Sequence, residues 1–472
     1  MDDAAIRLAL SIHLFHMNRT RLSHKSGMNG SVLIIVLIVC LGLVSMTLVL
    51  GHSMILAYRG SDNGIAGRQA DQAVDGAAQY ARTLMANVST PGAMPDPTTY
   101  QAQDVPLGDA TFWYIGEPDP SDTSNTVAFG LVDEASKLNI NTATAAMLEN
   151  LPGMTEDLAE AIVEWRTSGT STAVTSTAGT STAGTSTAGT SASSSSSSSA
   201  SSTVKNAQFE SVEELAQVNG GTDMETLYGN DTNLNHVCDA NETGEGPSSF
   251  SPGLLEYVTV FSRIPNTLPD GTKRVNVTGS AAAITQLLNT AFSPARAAQL
   301  SGALRTSGTV KSVLEFYMKS GMTADELAQI SGSLTMTSGS FSSGLINVNT
   351  ASPTVLECVP GISEAAARQI VSTRESQTTP VTNLSWVAPI LTGTAGVQAG
   401  PYLTAETYQV SADVAAVGRH GRGYRRTLFV IDNSSGTPQI VYRRNLAGLG
   451  WALGPAARQA LASGTSLAQA TP

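Results

Sequence analysis

LNINTATAAMLENLPGMTEDLAEAIVEWR, residues 138–166, and INVNTASPTVLECVPGISEAAARQIVSTR, residues 346–374, are written to one plan 208 positions apart. Asn139, Asn141, Thr142, Ala143, Leu148, Pro152, Gly153, Ala159, Ile162, Val163 and Arg166 recur as Asn347, Asn349, Thr350, Ala351, Leu356, Pro360, Gly361, Ala367, Ile370, Val371 and Arg374. Matches held in register over so many positions mark one building block used twice.

Each block reads as two short helices. Thr142 or Thr350 is expected to cap the first helix, which stops at Pro152-Gly153 or Pro360-Gly361, where proline cannot continue the helix and glycine accepts positive φ. The second helix restarts at once, and Ala159, Ile162 and Val163 follow the i, i+3, i+4 spacing of an apolar stripe. This is a helix-hairpin-helix pattern. Arg274-Val275-Asn276-Val277-Thr278 echoes its opening in degenerate form, and helices are expected near 282–300 and 310–330.

Outward from the blocks the sequence changes character. Residues 26–58 hold no formally charged side chain and contain SVLIIVLIVCLGLVSMTLVL, about the 20 apolar residues that a membrane helix needs. Arg19, Arg21 and Lys25 precede this run, so the positive-inside bias places the first residues in the cytoplasm and the bulk of the chain beyond the membrane. Residues 64–88 continue as an amphipathic helix with Ala70, Ala73, Val74, Ala77, Ala78 and Ala81 on one side, and 111–115 and 126–132 are expected as strands. The Ser/Thr/Ala/Gly run 167–203 has no apolar face and interrupts the first helical domain, which resumes with a helix at Phe209–Leu215. Residues 255–262 read as a strand-like run or a domain-closing edge, and 402–451 as an antiparallel meander turning at Gly436-Thr437-Pro438, before a loose Ala/Ser/Gly-rich tail.

The formal net charge of −12 argues against a large nucleic-acid footprint. The hairpin turns agree: each lacks a second glycine, and Glu156, Asp157 and Glu364 begin the following helices, where carboxylates satisfy the macrodipole and repel phosphate. No nucleic acid is expected as a partner. The six histidines and three cysteines form no catalytic or CxxC pattern, so no enzyme activity is expected either. Asp231, Asn233, Asn235, the Val237 carbonyl, Asp239 and Glu242 stand at positions 1, 3, 5, 7, 9 and 12 of an EF-hand-like loop, a spacing that surrounds Ca2+ with oxygen. His236 occupies the sixth position, where glycine normally makes the turn. The alternative reading is an Asn/Asp-rich turn held by its own hydrogen bonds.

Lys25-Ser26-Gly27-Met28-Asn29-Gly30, running straight into Ser31-Val32-Leu33-Ile34-Ile35, resembles a prepilin-type leader. A prepilin peptidase would cut between Gly30 and Ser31, with Gly27 the alternative cut and Met17 an alternative start. Ile35 stands where most pilin-like subunits carry glutamate. With the long anchor helix, the duplicated block and the C-terminal meander, the chain resembles the general secretion protein K family of type II secretion minor pseudopilins over about residues 30–444. That resemblance implies an α/β (α+β) pilin-like domain with an antiparallel sheet, interrupted by a large helical insert. It further implies a place at the pseudopilus tip beside other minor pseudopilins, on the inner membrane with the bulk of the chain in the periplasm. The expected layout is leader 1–30, membrane helix 31–58, first pilin-like part 59–137, first helical domain 138–345, second hairpin unit 346–400, strands 401–450 and tail 451–472. A membrane-anchored competence-type DNA receptor shares the anchor and the hairpins, and is the alternative.

Overall fold

The computed structural model describes residues 29–118, 124–167, 205–220, 222–239, 242, 251–377 and 381–463. The leader to residue 28, with Gly27 and Met17, the run 168–204 and the tail from 464 lie outside them. The chain divides into two units, residues 1–62 and 63–472.

In the first unit the described residues are helical. They belong to α1, Asn29–Ala86, so the Gly30-Ser31 pair falls in its first turn. Every large apolar side chain from Val32 to Leu56 is more than half exposed. A helix that is apolar all round and uncovered by protein is suited to lipid, and α1 is long and apolar enough to cross a membrane once.

In the second unit, α1 lays Ala66, Ala70, Ala73, Val74, Ala77, Ala78, Ala81 and Met85 against one face of a sheet. Alanines at this spacing let the backbones approach closely, and the Tyr114 hydroxyl donates to the Ala77 carbonyl at 2.7 Å. The sheet contains β1 (Val105–Leu107), β2 (Ala110–Ile115), β3 (Val132–Asp133), β4 (Gln409–Gly418), β5 (Arg422–Asp432) and β6 (Gln439–Asn445). Its order is β1-β2-β4-β5-β6, all antiparallel, with β3 also paired to β4. Phe112, Tyr114, Val410, Ala412, Val414, Phe429 and Ile431 face α1, while Trp113, Ile115, Ala415 and Val417 face a C-terminal helix, Gly454–Ser463, through Leu453, Ala457 and Ala460. This helix replaces the loose tail expected over its span, because its alanine stripe meets the sheet. Of the strand expected at 126–132, only Val132–Asp133 and a bridge at Phe129 pair.

Residues 134–408 form a helical insert between β3 and β4. It contains three units built alike, each opened by a two-residue strand that pairs in parallel with a strand closing the same unit: Leu138–Asn139 with Val258–Thr259, Val275–Asn276 with Leu334–Thr335, and Ile346–Asn347 with Leu403–Thr404. In all three the opening asparagine accepts the N–H two residues on, at 2.9 Å for Asn139, 2.8 Å for Asn276 and 3.0 Å for Asn347. The degenerate echo at Arg274 therefore opens a full unit with helices Ala281–Ala291, Pro294–Thr306, Val313–Ser320 and Ala324–Ile330. The first and third units share one core, and the middle unit has its own around Leu288, Leu300, Phe316 and Leu327. The whole is a mixed fold of helices and antiparallel sheet.

Three local expectations need correction. The caps of the first hairpin helices are Thr144 and Ser352, not Thr142 and Thr350, because the opening turn extends two residues further. Thr142 instead donates to the Asn139 carbonyl and Thr350 to Asp133. Residues 255–262 are not one strand: Leu254–Tyr257 is helical and only Val258–Thr259 pairs. Val212–Gly220 forms a 3-10 helix, and Asn141 exchanges hydrogen bonds with the Phe209 backbone, tying residues after the low-complexity run to the first hairpin.

Candidate functional site

The hairpins are assembled by an arginine that reaches back across its own unit. Arg166, in the last turn of Glu156–Thr167, donates to the carbonyls of Ile140 and Ala143. Arg374, its counterpart in Glu364–Glu375, donates to Val348 at 3.4 Å and Ala351 at 2.5 Å. Each guanidinium fixes the opening strand against the second helix and satisfies carbonyls that the turn leaves without a partner.

The two turns differ in surroundings. Gly153 has φ +73 and nothing within 4 Å of where a Cβ would stand, and Pro152 beside it is exposed. Gly361 has φ +89, but its Cβ position lies 2.8 Å from the Ala395 carbonyl and 2.9 Å from Gln398 Cβ, so the turn of Pro360-Gly361 is packed against the helix Thr394–Ala399. Glu149, Glu156 and Asp157 flank the first turn and are exposed, as are Glu160 and Glu164 further along the second helix. At the second, Glu364 pairs with Arg368 one turn along, both largely exposed.

The helix-hairpin-helix motif model matches residues 133–172 and 342–385. Both blocks are helix-hairpin-helix motifs. No curated protein matches the chain. The first match begins at Asp133, at the end of β3, and Asp133 bonds directly to the second motif. Its carboxylate is almost fully buried and accepts from Ala135 N–H at 2.8 Å, Asn347 Nδ2 at 2.8 Å, Thr350 Oγ1 at 2.6 Å and the Thr407 hydroxyl. Glu134 beside it accepts from Thr259, in the strand that closes the first helix-hairpin-helix unit. Adjacent carboxylates thus fasten the sheet to both helix-hairpin-helix units. Burial pushes both pKa values up, and the hydrogen bonds pull against it.

The loop from Asp231 folds as a compact acidic turn. Asp231 and Asn235 are fully buried, and Asn233 and Glu242 nearly so. Asp231 accepts the N–H groups of Asn235 at 3.1 Å and His236 at 2.9 Å; Glu242 accepts those of Thr232 at 3.0 Å, Asn233 at 3.3 Å and Asp239 at 3.1 Å. His236 makes the sixth-position turn with φ +61, the conformation glycine would supply. Its imidazole meets Glu256 at 2.9 Å; burial alone would lower the His236 pKa, but the Glu256 charge raises it. Val237 N–H donates to Asn235 Oδ1 at 2.9 Å, and Asp239 Oδ2 takes the amides of Asn233 at 2.8 Å and Asn235 at 3.2 Å.

Asn233 Oδ1 is buried with no hydrogen-bond partner among the described residues. An orphaned oxygen in an all-oxygen donor set fits a hard cation such as Ca2+. The carboxylates are spread around the loop: among the described residues no three His, Cys, Asp or Glu side chains cluster as a metal group. Ala240 and Asn241 lie outside the described residues.

Sequence reading missed what holds this loop in place. Arg426 of β5, fully buried, pairs with Asp413 of β4, at 3.0 Å through Nε and 2.6 Å through Nη2, and also donates to the Asn233 and Leu234 carbonyls. Arg426 stands beside Arg425 and before the apolar run 428–431 of β5, so nothing in the local pattern sets it apart as the buried one.

Proposed function

We propose that this chain is a minor pseudopilin of a type II secretion system, acting at the tip of the pseudopilus. The observation that carries the reading is α1. One helix begins in an uncharged, lipid-suited run and ends as an alanine face against an antiparallel sheet, with the helical insert returning to that sheet. Prepilin peptidase would release the chain between Gly30 and Ser31, leaving the sheet and insert in the periplasm and α1 in the inner membrane. Ile35, in place of a carboxylate, avoids the cost of about 2.5–3.5 kcal/mol for an unpaired charge in lipid. A subunit without that charge need not pair with a neighbour's N-terminus, and its bulky insert hinders stacking above it. Ca2+ in the Asp231–Glu242 loop would stiffen a segment already anchored by Arg426. The partners on this reading are other minor pseudopilins.

A membrane-anchored DNA receptor is the second reading, favoured by the open turn at Pro152-Gly153 and by the two helix-hairpin-helix motifs. The exposed carboxylates beside that turn and along the helix after it, and the packed second turn, count against it. Filter binding of duplex DNA to the full chain in detergent at low salt separates the two. The pseudopilin reading expects only weak retention; tight, salt-sensitive binding abolished by Gly153→Asp would reverse the assignment.

A further inference from the structure

The three units of the insert can be superposed by their second-helix caps. Thr155, Ser293 and Ser363 each accept a backbone N–H three residues on, at 3.2, 3.5 and 3.3 Å. Four residues beyond the caps stand Ala159, Ala297 and Ala367, and seven beyond stand Ile162, Leu300 and Ile370, all fully buried. The register is therefore common to all three. At the eighth position the outer units carry Val163 and Val371 and the middle unit Ser301. At the eleventh the outer units carry Arg166 and Arg374, and the middle unit carries Leu304.

The middle unit has thus lost the arginine that fills its sisters. The carbonyls equivalent to Ile140 and Ala143 are those of Val277 and Gly279, and among the described residues no backbone N–H donates to either. A cavity of about 370 Å³ opens at this place, lined by Val277, Gly279, Ile284, Ser301, Leu304 and Phe316 among others. Ser301 is buried to all but 6 %, and its hydroxyl has no hydrogen-bond partner among the described residues. The cavity therefore combines two carbonyls that receive no backbone N–H, a buried hydroxyl without a partner among the described residues, apolar walls and an opening to the surface. Its size lies within the range of real ligand sites.

We infer that this notch is a docking pocket for an arginine side chain presented by a partner protein. The outer units show the chemistry the pocket was shaped around: a guanidinium donating to both carbonyls. Ile284, Leu304 and Phe316 provide a wall for the alkyl stem, and Ser301 supplies a further acceptor. The chain's net charge of −12 favours a basic partner at long range. Arg305, exposed at the rim, opposes a second cation and sets a threshold that only a guest making the inner hydrogen bonds passes. This inference does not depend on the secretion reading.

The test uses the full chain in detergent micelles and N-acetyl-arginine amide as the probe, titrated by calorimetry at low salt. Saturable binding is expected. The citrulline analogue, equal in shape but uncharged, should bind roughly tenfold more weakly or worse, the weight of a charged hydrogen bond. Leu304→Arg supplies the guanidinium in cis, as in the outer units, and should abolish binding while leaving the melting temperature unchanged or higher. Arg305→Gln should tighten binding. Ser301→Val, which restores the outer-unit residue, should weaken it and serves as the deciding variant if Leu304→Arg does not fold. No saturable binding, equal affinity for citrulline, or weaker binding in Arg305→Gln would each overturn the proposal.

Discussion

Asp133 offers the sharpest test of how the sheet and the insert are joined. Replacing it with alanine leaves four donors without their acceptor: Ala135 N–H, Asn347 Nδ2 and the hydroxyls of Thr350 and Thr407. The hydroxyls can rotate towards other acceptors, but the backbone N–H and the amide cannot. Each of those two costs about 1–3 kcal/mol when left unmet in a buried site. Against this, burial raises the Asp133 pKa, so its removal also relieves a poorly solvated carboxylate. The expected net loss is about 2–4 kcal/mol, read as a lower urea midpoint in micelles with unchanged slope. Hydrogen exchange should speed up together at the Ala135 backbone N–H and the Asn347 side-chain amide, since both lose the same partner. Asp133→Asn retains one acceptor but turns an NH2 towards existing donors, and should fall between wild type and alanine. An alanine variant within about 0.5 kcal/mol of wild type would show that the staple contributes nothing.

Gly153→Ala should cost about 1 kcal/mol, the price of a left-handed turn alone, whereas Gly361→Ala should cost clearly more because its Cβ meets Ala395 and Gln398; equal urea midpoints would refute the packed second turn. Arg426→Ala strands Asp413 and frees the Asn233 and Leu234 carbonyls, so a loss of about 3–5 kcal/mol is expected in thermal melts, and a surface-like effect would be inconsistent with the burial. Hydrogen bonding from Arg296, with backbone support at Thr323, holds the Glu326 carboxyl down at about 2, so its contribution is present above the ordinary glutamate pKa and is lost as pH falls towards 2. Both side chains are partly buried, and the loss should be detectable as faster exchange in Ala324–Ile330 at low pH that Glu326→Gln shows at every pH. A calcium-loaded loop should raise the melting temperature, and chelator should reverse the gain; no shift in either wild type or Asp231→Asn would remove the metal from the proposal.

What could be read in advance was whatever repeats at short range. The apolar run of α1, its alanine stripe, both hairpins and the three long strands of the meander all carry a period in the sequence. The middle helical unit was seen only as an echo, because Ser301 and Leu304 replace the valine and arginine of the motif and its opening turn is one residue shorter. The two-residue strands that close each unit are too short to show alternation. Asp133 was invisible for another reason: its partners Asn347, Thr350 and Thr407 are more than 200 residues away, and nothing local announces them. His236 shows the converse, since a non-glycine at the loop's sixth position takes the left-handed conformation once Asp231 and Glu256 hold it on either side.

The insert leaves the sheet at Asp133 and comes back at Val410, and these two residues face each other on one rung of the ladder. Strand β4, which lies between β2 and β5, is thus made only after the whole insert has been synthesised. The middle helical unit, which has a core of its own, can organise while the chain is still emerging, but β2 must wait for a partner far downstream. Until β4 arrives, the alanine face of α1 and the open edge of the β1–β2 hairpin stand uncovered. Biogenesis of this protein therefore passes through a stage in which an unfinished half-sheet needs shielding from its neighbours.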